Sequence, residues 1–401
     1  MRPFQAWLRH ADPRARALIL PDASVLSFGD LARVPGRSGL HVPVEDATTI
    51  ALAFAASAVG GGTAFPLPTG LDDEHRQRLL DLAEEAATPS LALIIATSGS
   101  EGTPKAVRLP WRAVAAAALM SGRALDLRPG DVWLACLPLR HIGGAMIPYR
   151  CWRAGATALI HEGFDVEAVM RDLHDRRVSH VSLVPPMLAR LLDLGAPPSS
   201  LRHAIVGGAA LTEALLGRAR AADWPVATSY GMTETCAMAA LDGHPLPGVR
   251  MRVGESGTIE IASPARMAGY LGQPDSGDWF ATRDLGAMAA DGRVTVTGRA
   301  DEMLVTGGAN VHPIEVEARL AACPGIREAG VTGLADPVWG DIIAAVYEGD
   351  AHEAAVESWC RAHLSGPRRP RRFLRVDRLP RTASGKLDRR QLARLASPTP
   401  T

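Results

Sequence analysis

The stretch LALIIATSGSEGTPK, Leu91–Lys105, sets the reading of everything around it. Six apolar residues in a row predict a short buried strand, and the loop behind them is packed with Thr, Ser, Gly and Lys. Working outward to Ser229, apolar strands alternate with longer amphipathic segments: Trp111–Ala124, VWLACL, ATALI, 166–176, HVSLV, 186–194, HAIVGG and 212–221. That alternation predicts βα units around a parallel sheet, whose ligands sit in loops at the carboxyl ends of the strands. Three motif-bearing loops, after Ala96, Val206 and Ser229, fall at such ends. A fourth segment, LPLRHIGGAM over Leu137–Met146, reads as a loop after VWLACL.

Past Gly243 the pattern shifts to short β-type runs punctuated by glycine, which predicts a strand-rich subdomain. After Gly308, HPIEVEARLAAC predicts a helix with proline in its first turn, followed by strand, strand, helix and a basic tail. The expected fold class is therefore α/β: a large N-terminal domain of parallel α/β sheets plus a β-rich subdomain, and a small α+β C-terminal domain.

The chain has 401 residues, 47% of them hydrophobic, which exceeds what one core usually supports and fits two domains. Its 43 basic residues balance 43 acidic ones, so no global field draws it to nucleic acid or to an anionic membrane. The run GPRRPRRFLRV, 366–376, is the one local exception, read as a solvated linker whose arginines could otherwise meet a phosphorylated cofactor. Five scattered cysteines without a CxxC pair predict a reduced, cytoplasmic protein. No apolar run approaches the roughly 20 residues of a membrane helix, and the first 20 residues carry no signal-peptide core.

Four motifs carry the chemistry. In TSGSEGTPK, glycines let the backbone approach a polyanion, hydroxyls donate, and Lys105 adds a point charge. It is not a Walker loop, since Gly99 and Gly102 stand too close together and Pro104 precedes the lysine; alone, such a loop serves equally as a surface turn. In SYGMTETCAM, Ser229–Met238, an aromatic face, a glycine, hydroxyls and one carboxylate follow a strand. Glu234 suits Mg2+, which keeps only one or two protein carboxylates beside substrate phosphates, and Thr233 suits a phosphate oxygen. In TRDLG and the TGRADEMLVTGG that follows, Asp284 can accept from ribose hydroxyls and Arg299 can add charged donors. In LPRTASGKLDRRQL, a flexible turn presents Lys386, by itself one more exposed cation.

Taken in this order, the four motifs resemble the acyl-adenylate-forming superfamily of acyl-CoA synthetases, nonribosomal adenylation domains and luciferases, and the resemblance runs from about Leu91 to Leu392. It implies an AMP-forming enzyme using ATP, Mg2+ and CoA: a carboxylic acid is joined to the α-phosphate, and the acyl group then passes to a thiol. It implies that Thr97, Ser98, Gly99, Ser100, Thr103 and Lys105 cradle the β- and γ-phosphates. Gly207, Gly208 and Ala209 would line the adenine and acyl pockets, Tyr230 would stack on adenine, and Gly231 and Met232 would also bind ATP. Thr233 would meet the α-phosphate, Glu234 the metal, and Asp284 with Arg299 the ribose. Asp301 would be the hinge between domains at 1–300 and 301–401, Lys386 the lysine that bridges carboxylate and α-phosphate, and Gly307 and Gly308 the approach to the pantetheine tunnel.

Only 96 residues precede Thr97, short for an acyl-CoA synthetase, and compact members with SYGMTETC and an LPL..HI.G loop resemble the o-succinylbenzoate–CoA ligase branch of menaquinone biosynthesis. There His141, with Arg140 beside it, would face a substrate that keeps a second carboxylate and a ketone. The alternatives are another acyl- or aryl-CoA ligase, or a stand-alone adenylation enzyme loading a carrier protein in trans; a homo-oligomer is compatible with either. Three positions depart from the common pattern: Arg283 replaces a glycine, Ala309 an acidic residue and His312 an aromatic one.

Overall fold

A computed structural model of the protein describes residues 3–43, 46–97, 105–275, 277–382 and 385–397. The mixed α/β class expected from the alternation is what the chain adopts. By its internal contacts the chain divides into two compact units, one of Met1–Gly208, Ala219–Met251 and Ile261–Phe280, the other of Ala209–Arg218, Arg252–Glu260 and Ala281–Thr401.

The first unit holds two sheets. The larger has nine strands, and at its centre His203–Gly207 runs parallel to both Val226–Tyr230 and His180–Leu183, with Val132–Ala135 next in line. His180–Leu183 and Val132–Ala135 are wholly buried and His203–Gly207 mostly so, as a sheet covered on both faces by crossover helices requires. The helices Trp111–Ala124, Val166–Asp175, Pro185–Leu194 and Glu213–Ala221 lie where the periodicity places them, within a residue at each end. Trp133, Trp152, Tyr149, Phe4 and Phe54 fill the core, each such side chain contributing roughly 1.5–3 kcal/mol on burial.

Two elements differ from the sequence reading. Leu91–Thr97 does not join the parallel sheet; it belongs to a second, five-stranded sheet, where it pairs antiparallel with Lys105–Pro110. The phosphate-type loop is thus the connection of a β-hairpin. The expected loop over Leu137–Met146 stops at His141, and Ile142–Ala154 is helical despite Gly143, Gly144 and Pro148. Every residue from Gly144 to Trp152 is buried there, so packing on all sides outweighs poor helix propensity.

The second unit is built on a five-stranded sheet in which the long strand Gly340–Gly349 pairs antiparallel with the edge strand Ile326–Asp336, with Leu304–Thr306, Ala309–Val311 and Arg372–Arg375 completing it. Pro313–Leu320 and Glu353–His363 pack a core of Val311, Val316, Leu320, Val331, Tyr347 and Val356, matching the predicted helix, strand, strand, helix order. Among the described residues no helix is long and apolar enough to cross a membrane.

Candidate active site

In the first unit, the hairpin sets Thr97 directly opposite Lys105, and the Thr97 hydroxyl donates to the Lys105 carbonyl at 3.2 Å. Both ends of the loop are therefore clamped. Ser98, Gly99, Ser100 and Thr103 lie outside the described residues. Lys105 Nζ stands 5.8 Å from the ring centre of Tyr270.

Gly207 and Ser229 are register partners on adjacent parallel strands, and a Cβ on Gly207 would come within 3.0 Å of the Ser229 carbonyl. Gly208 follows at φ +79°, and Ala209 is exposed and counted with the second unit. After Tyr230 the chain folds back sharply: Ala239 N donates to Tyr230 O at 2.8 Å and Ala237 N to Met232 O at 3.0 Å. A Cβ on Gly231 would sit 1.5 Å from the Ala237 carbonyl, so only glycine fits this crossing. Thr235, 1% exposed, locks the turn by accepting from Met232 N at 3.1 Å. The one-turn 3₁₀ helix Thr233–Thr235 then leaves Thr233 and Glu234 half-buried.

Glu234 is gripped twice. Its carbonyl accepts from Met267 N at 2.8 Å, and its Oε1 accepts from the Tyr270 hydroxyl at 2.8 Å. Among the described residues no group of three or more His, Cys, Asp or Glu side chains gathers as a metal cage. A lone hard carboxylate fits Mg2+, whose remaining ligands are phosphate oxygens and waters, and does not fit a structural zinc.

His141 closes the preceding loop and caps Ile142–Ala154, its carbonyl accepting from Gly144 and Ala145 at 3.0 and 2.9 Å. Its ring is half-buried, as is Arg140.

In the second unit, Asp284 and Arg299 face each other across the antiparallel pair Phe280–Met288 and Val294–Arg299. Asp284 is 8% exposed and accepts from Arg299 Nη1 at 3.1 Å. The same guanidinium forks onto Asp301 at 2.9 and 3.0 Å, and Arg283 adds a third donor to Asp301 at 3.1 Å. Burial works against the Asp301 charge, but the two guanidiniums outweigh it and hold the carboxyl below its ordinary range. Arg283, where the family pattern has glycine, is thus a partner of the predicted hinge residue.

Gly307 and Gly308, at φ +57° and +79°, form the tip between Leu304–Thr306 and Ala309–Val311. Gly307 N donates to Trp339 O at 2.8 Å, and a Cβ on Gly307 would strike the Trp339 ring at 2.8 Å. Trp339 is 40% exposed and Arg371 lies over its ring at 3.8 Å. Lys386, exposed, sits at the end of a small hairpin: Thr382 N donates to Lys386 O at 2.8 Å, and Arg381 pairs with Leu387. Arg381 holds the turn by donating to Gly385 O at 2.8 Å while its other nitrogen grips Glu328.

The sequence-predicted residues therefore fall into two groups. Thr97, Lys105, His141, Gly207, Gly208 and Tyr230 to Glu234 belong to the first unit; Ala209, Asp284, Arg299, Asp301, Gly307, Gly308 and Lys386 belong to the second. Tyr270, Thr235, Trp339 and Arg381 escaped the sequence reading. Of these, only Trp339, a tryptophan in the polar, turn-like DPVWGD, carried a visible signal.

The first unit thus carries a hairpin clamped between Thr97 and Lys105 and a lone half-buried carboxylate at Glu234, and the second unit carries the Asp284–Arg299 pair. The profile of the AMP-binding enzyme family matches residues 64–271 and that of the AMP-binding enzyme C-terminal domain matches 315–386, and the chain belongs to this family. Its relatives include a 2-succinylbenzoate–CoA ligase of Bacillus licheniformis, 36% identical over 331 residues, which are 75% of this chain and 69% of that protein. Among solved structures, the o-succinylbenzoate CoA synthetase of Bacillus subtilis in complex with the acyl-adenylate intermediate OSB-AMP superposes with a TM-score of 0.87 at 25% identity, over 98% of both chains. The same enzyme with ATP and a magnesium ion gives 0.86 at 25% identity, over 98% of this chain and 99% of that one.

Proposed function

We propose that this protein is an AMP-forming acid–thiol ligase that adenylates 2-succinylbenzoate and transfers the acyl group to CoA, a step of menaquinone biosynthesis. The observation that carries the reading is the identity of 36% to a 2-succinylbenzoate–CoA ligase across three quarters of the chain. The grip on Glu234 and the Asp284–Arg299 pair support it from the side of the nucleotide.

The reaction joins a carboxylate to a phosphate, so two anions must meet. Mg2+ supplies charge neutralisation on the ATP phosphates. Thr97, Ser98, Gly99, Ser100, Thr103 and Lys105 hold the β- and γ-phosphates, Thr233 donates to the α-phosphate, and Glu234 presents one carboxylate oxygen to the metal. Gly207, Gly208, Ala209, Tyr230, Gly231 and Met232 form the adenine wall, and Asp284 accepts from the ribose hydroxyls with Arg299 fixing its rotamer. The acid's oxygen bonds to the α-phosphorus as the bond to pyrophosphate breaks. Lys386 neutralises charge where it develops, an effect worth about a hundredfold or more in rate. His141 serves the acyl pocket. The thiol of CoA then attacks the acyl carbon and AMP leaves.

The division of labour assigns residues 1–300 to ATP and acid and residues 301–401 to a mobile domain hinged at Asp301. Gly307 and Gly308 serve the CoA step. Trp339, packed against Gly307 and covered by Arg371, supports the tip that serves this step, and Trp339→Ala is expected to raise the KM for CoA several-fold. Five free, buried cysteines support a cytoplasmic setting.

The test is ATP-dependent thioester formation from CoA with 2-succinylbenzoate, simple benzoates and fatty acids of several lengths. Succinylbenzoyl-CoA with release of AMP and pyrophosphate is expected. Turnover of another acid in its place would overturn the substrate; acyl transfer to a pantetheinylated carrier protein but not to CoA would overturn the acceptor.

A further inference from the structure

We infer that Tyr270 is a positioning residue that ties the metal carboxylate of Glu234 to the phosphate-loop lysine; this rests on the proposed role of Glu234. The two groups come from different sheets. Lys105 heads a strand of the five-stranded sheet, whereas Glu234 follows a strand of the nine-stranded one, and these sheets share no strand. Their relative placement must be fixed by something that touches both.

The segment 267–271 does so. Ala268 N donates to Arg108 O at 2.9 Å and Leu271 N to Ala106 O at 2.8 Å, and Tyr270 stands opposite Val107, which stitches the segment to the strand that Lys105 begins. From the same five residues Met267 N donates to Glu234 O at 2.8 Å. Tyr270 acts through its side chain in both directions: its hydroxyl donates to Glu234 Oε1 at 2.8 Å, and its ring lies 5.8 Å from Lys105 Nζ, within the range of cation–π attraction.

Burial does not demand this hydrogen bond. Tyr270 is only half-buried, so water can serve its hydroxyl, and the choice of a carboxylate partner is a matter of placement. A phenol donor to Oε1 holds the carboxylate in one rotamer without adding a charge beside it. Partners behind a metal ligand orient it in this way, and removing them commonly weakens metal binding about tenfold or more.

The experiment measures Mn2+ binding by EPR to the full-length protein in complex with a non-hydrolysable ATP analogue, alongside analogue binding without metal. Tyr270→Phe keeps the ring under Lys105 and loses the hydrogen bond: Mn2+ affinity should fall about tenfold, with metal-free analogue binding unchanged. Tyr270→Leu should weaken both. In a Glu234→Ala background, Tyr270→Phe should have no further effect on Mn2+, an outcome that a general loss of structure would not give. Wild-type Mn2+ affinity in Tyr270→Phe, or an equal loss in the Glu234→Ala background, overturns the inference while leaving the role of Glu234 standing. Wild-type Mn2+ affinity in Glu234→Ala itself overturns both.

Discussion

Gly231 shows how much one residue decides. Its missing side chain lets the Ala237 carbonyl pass where a Cβ would sit, and that crossing turns Thr233 and Glu234 out of the strand end. Gly231→Ala must push the two segments apart, at a cost of about 1–3 kcal/mol by the usual range for overpacking. It should also move Glu234 enough to lower adenylation on the order of a hundredfold. Thermal melting and ATP–pyrophosphate exchange check both, and an exchange rate equal to wild type would contradict this view of the turn. Single residues were legible in the sequence where a polar, chemistry-bearing side chain follows a strand, as at Glu234, whereas Asp284 lies within the strand Phe280–Met288 and was legible by its motif alone. Tyr270 was not, because it meets Glu234 from 36 positions away in sequence, and nothing in the local pattern GYLG marks a hydroxyl aimed at a distant carboxylate.

Elements repeat that division. Trp111–Ala124 has helical periodicity and is rich in alanine, leucine, methionine and arginine, so local and tertiary preferences agree and the boundaries match. Ile142–Ala154 was hidden by two glycines and a proline, and only its burial on every side makes it a helix. The strand Lys105–Pro110 was hidden too: six residues ending in proline, legible only once its partner Leu91–Thr97 is known. The hairpin that carries Lys386 offers a test at this scale. Arg381 joins its turn to Glu328 on the long strand Ile326–Asp336, so Glu328→Gln should loosen the turn and slow adenylation several-fold. Acyl transfer to CoA from supplied acyl-AMP should stay near wild type. Equal losses in both half-reactions would mean that the pair merely stabilises the fold.

At the scale of the whole molecule, the α/β class followed from alternation alone, and the chemistry followed from four motifs whose order, more than any one composition, carried the resemblance. The acyl substrate was least legible, since the residues that shape its pocket are spread over loops without a local signature. On the proposed reading the two half-reactions place different demands on the chain: the first needs Lys386 at the α-phosphate, the second does not. Arg299 bonds both Asp284 and Asp301 through one guanidinium, which on the proposed reading would link the bound nucleotide to the hinge. The most direct measurement is therefore 2-succinylbenzoate-dependent ATP–pyrophosphate exchange by wild type and Lys386→Ala, beside thioester formation from supplied succinylbenzoyl-AMP and CoA. The account predicts exchange by the wild type, a loss of a hundredfold or more in the variant, and thioester formation largely intact in both. Full exchange by Lys386→Ala, or no exchange by the wild type with this acid, would contradict it.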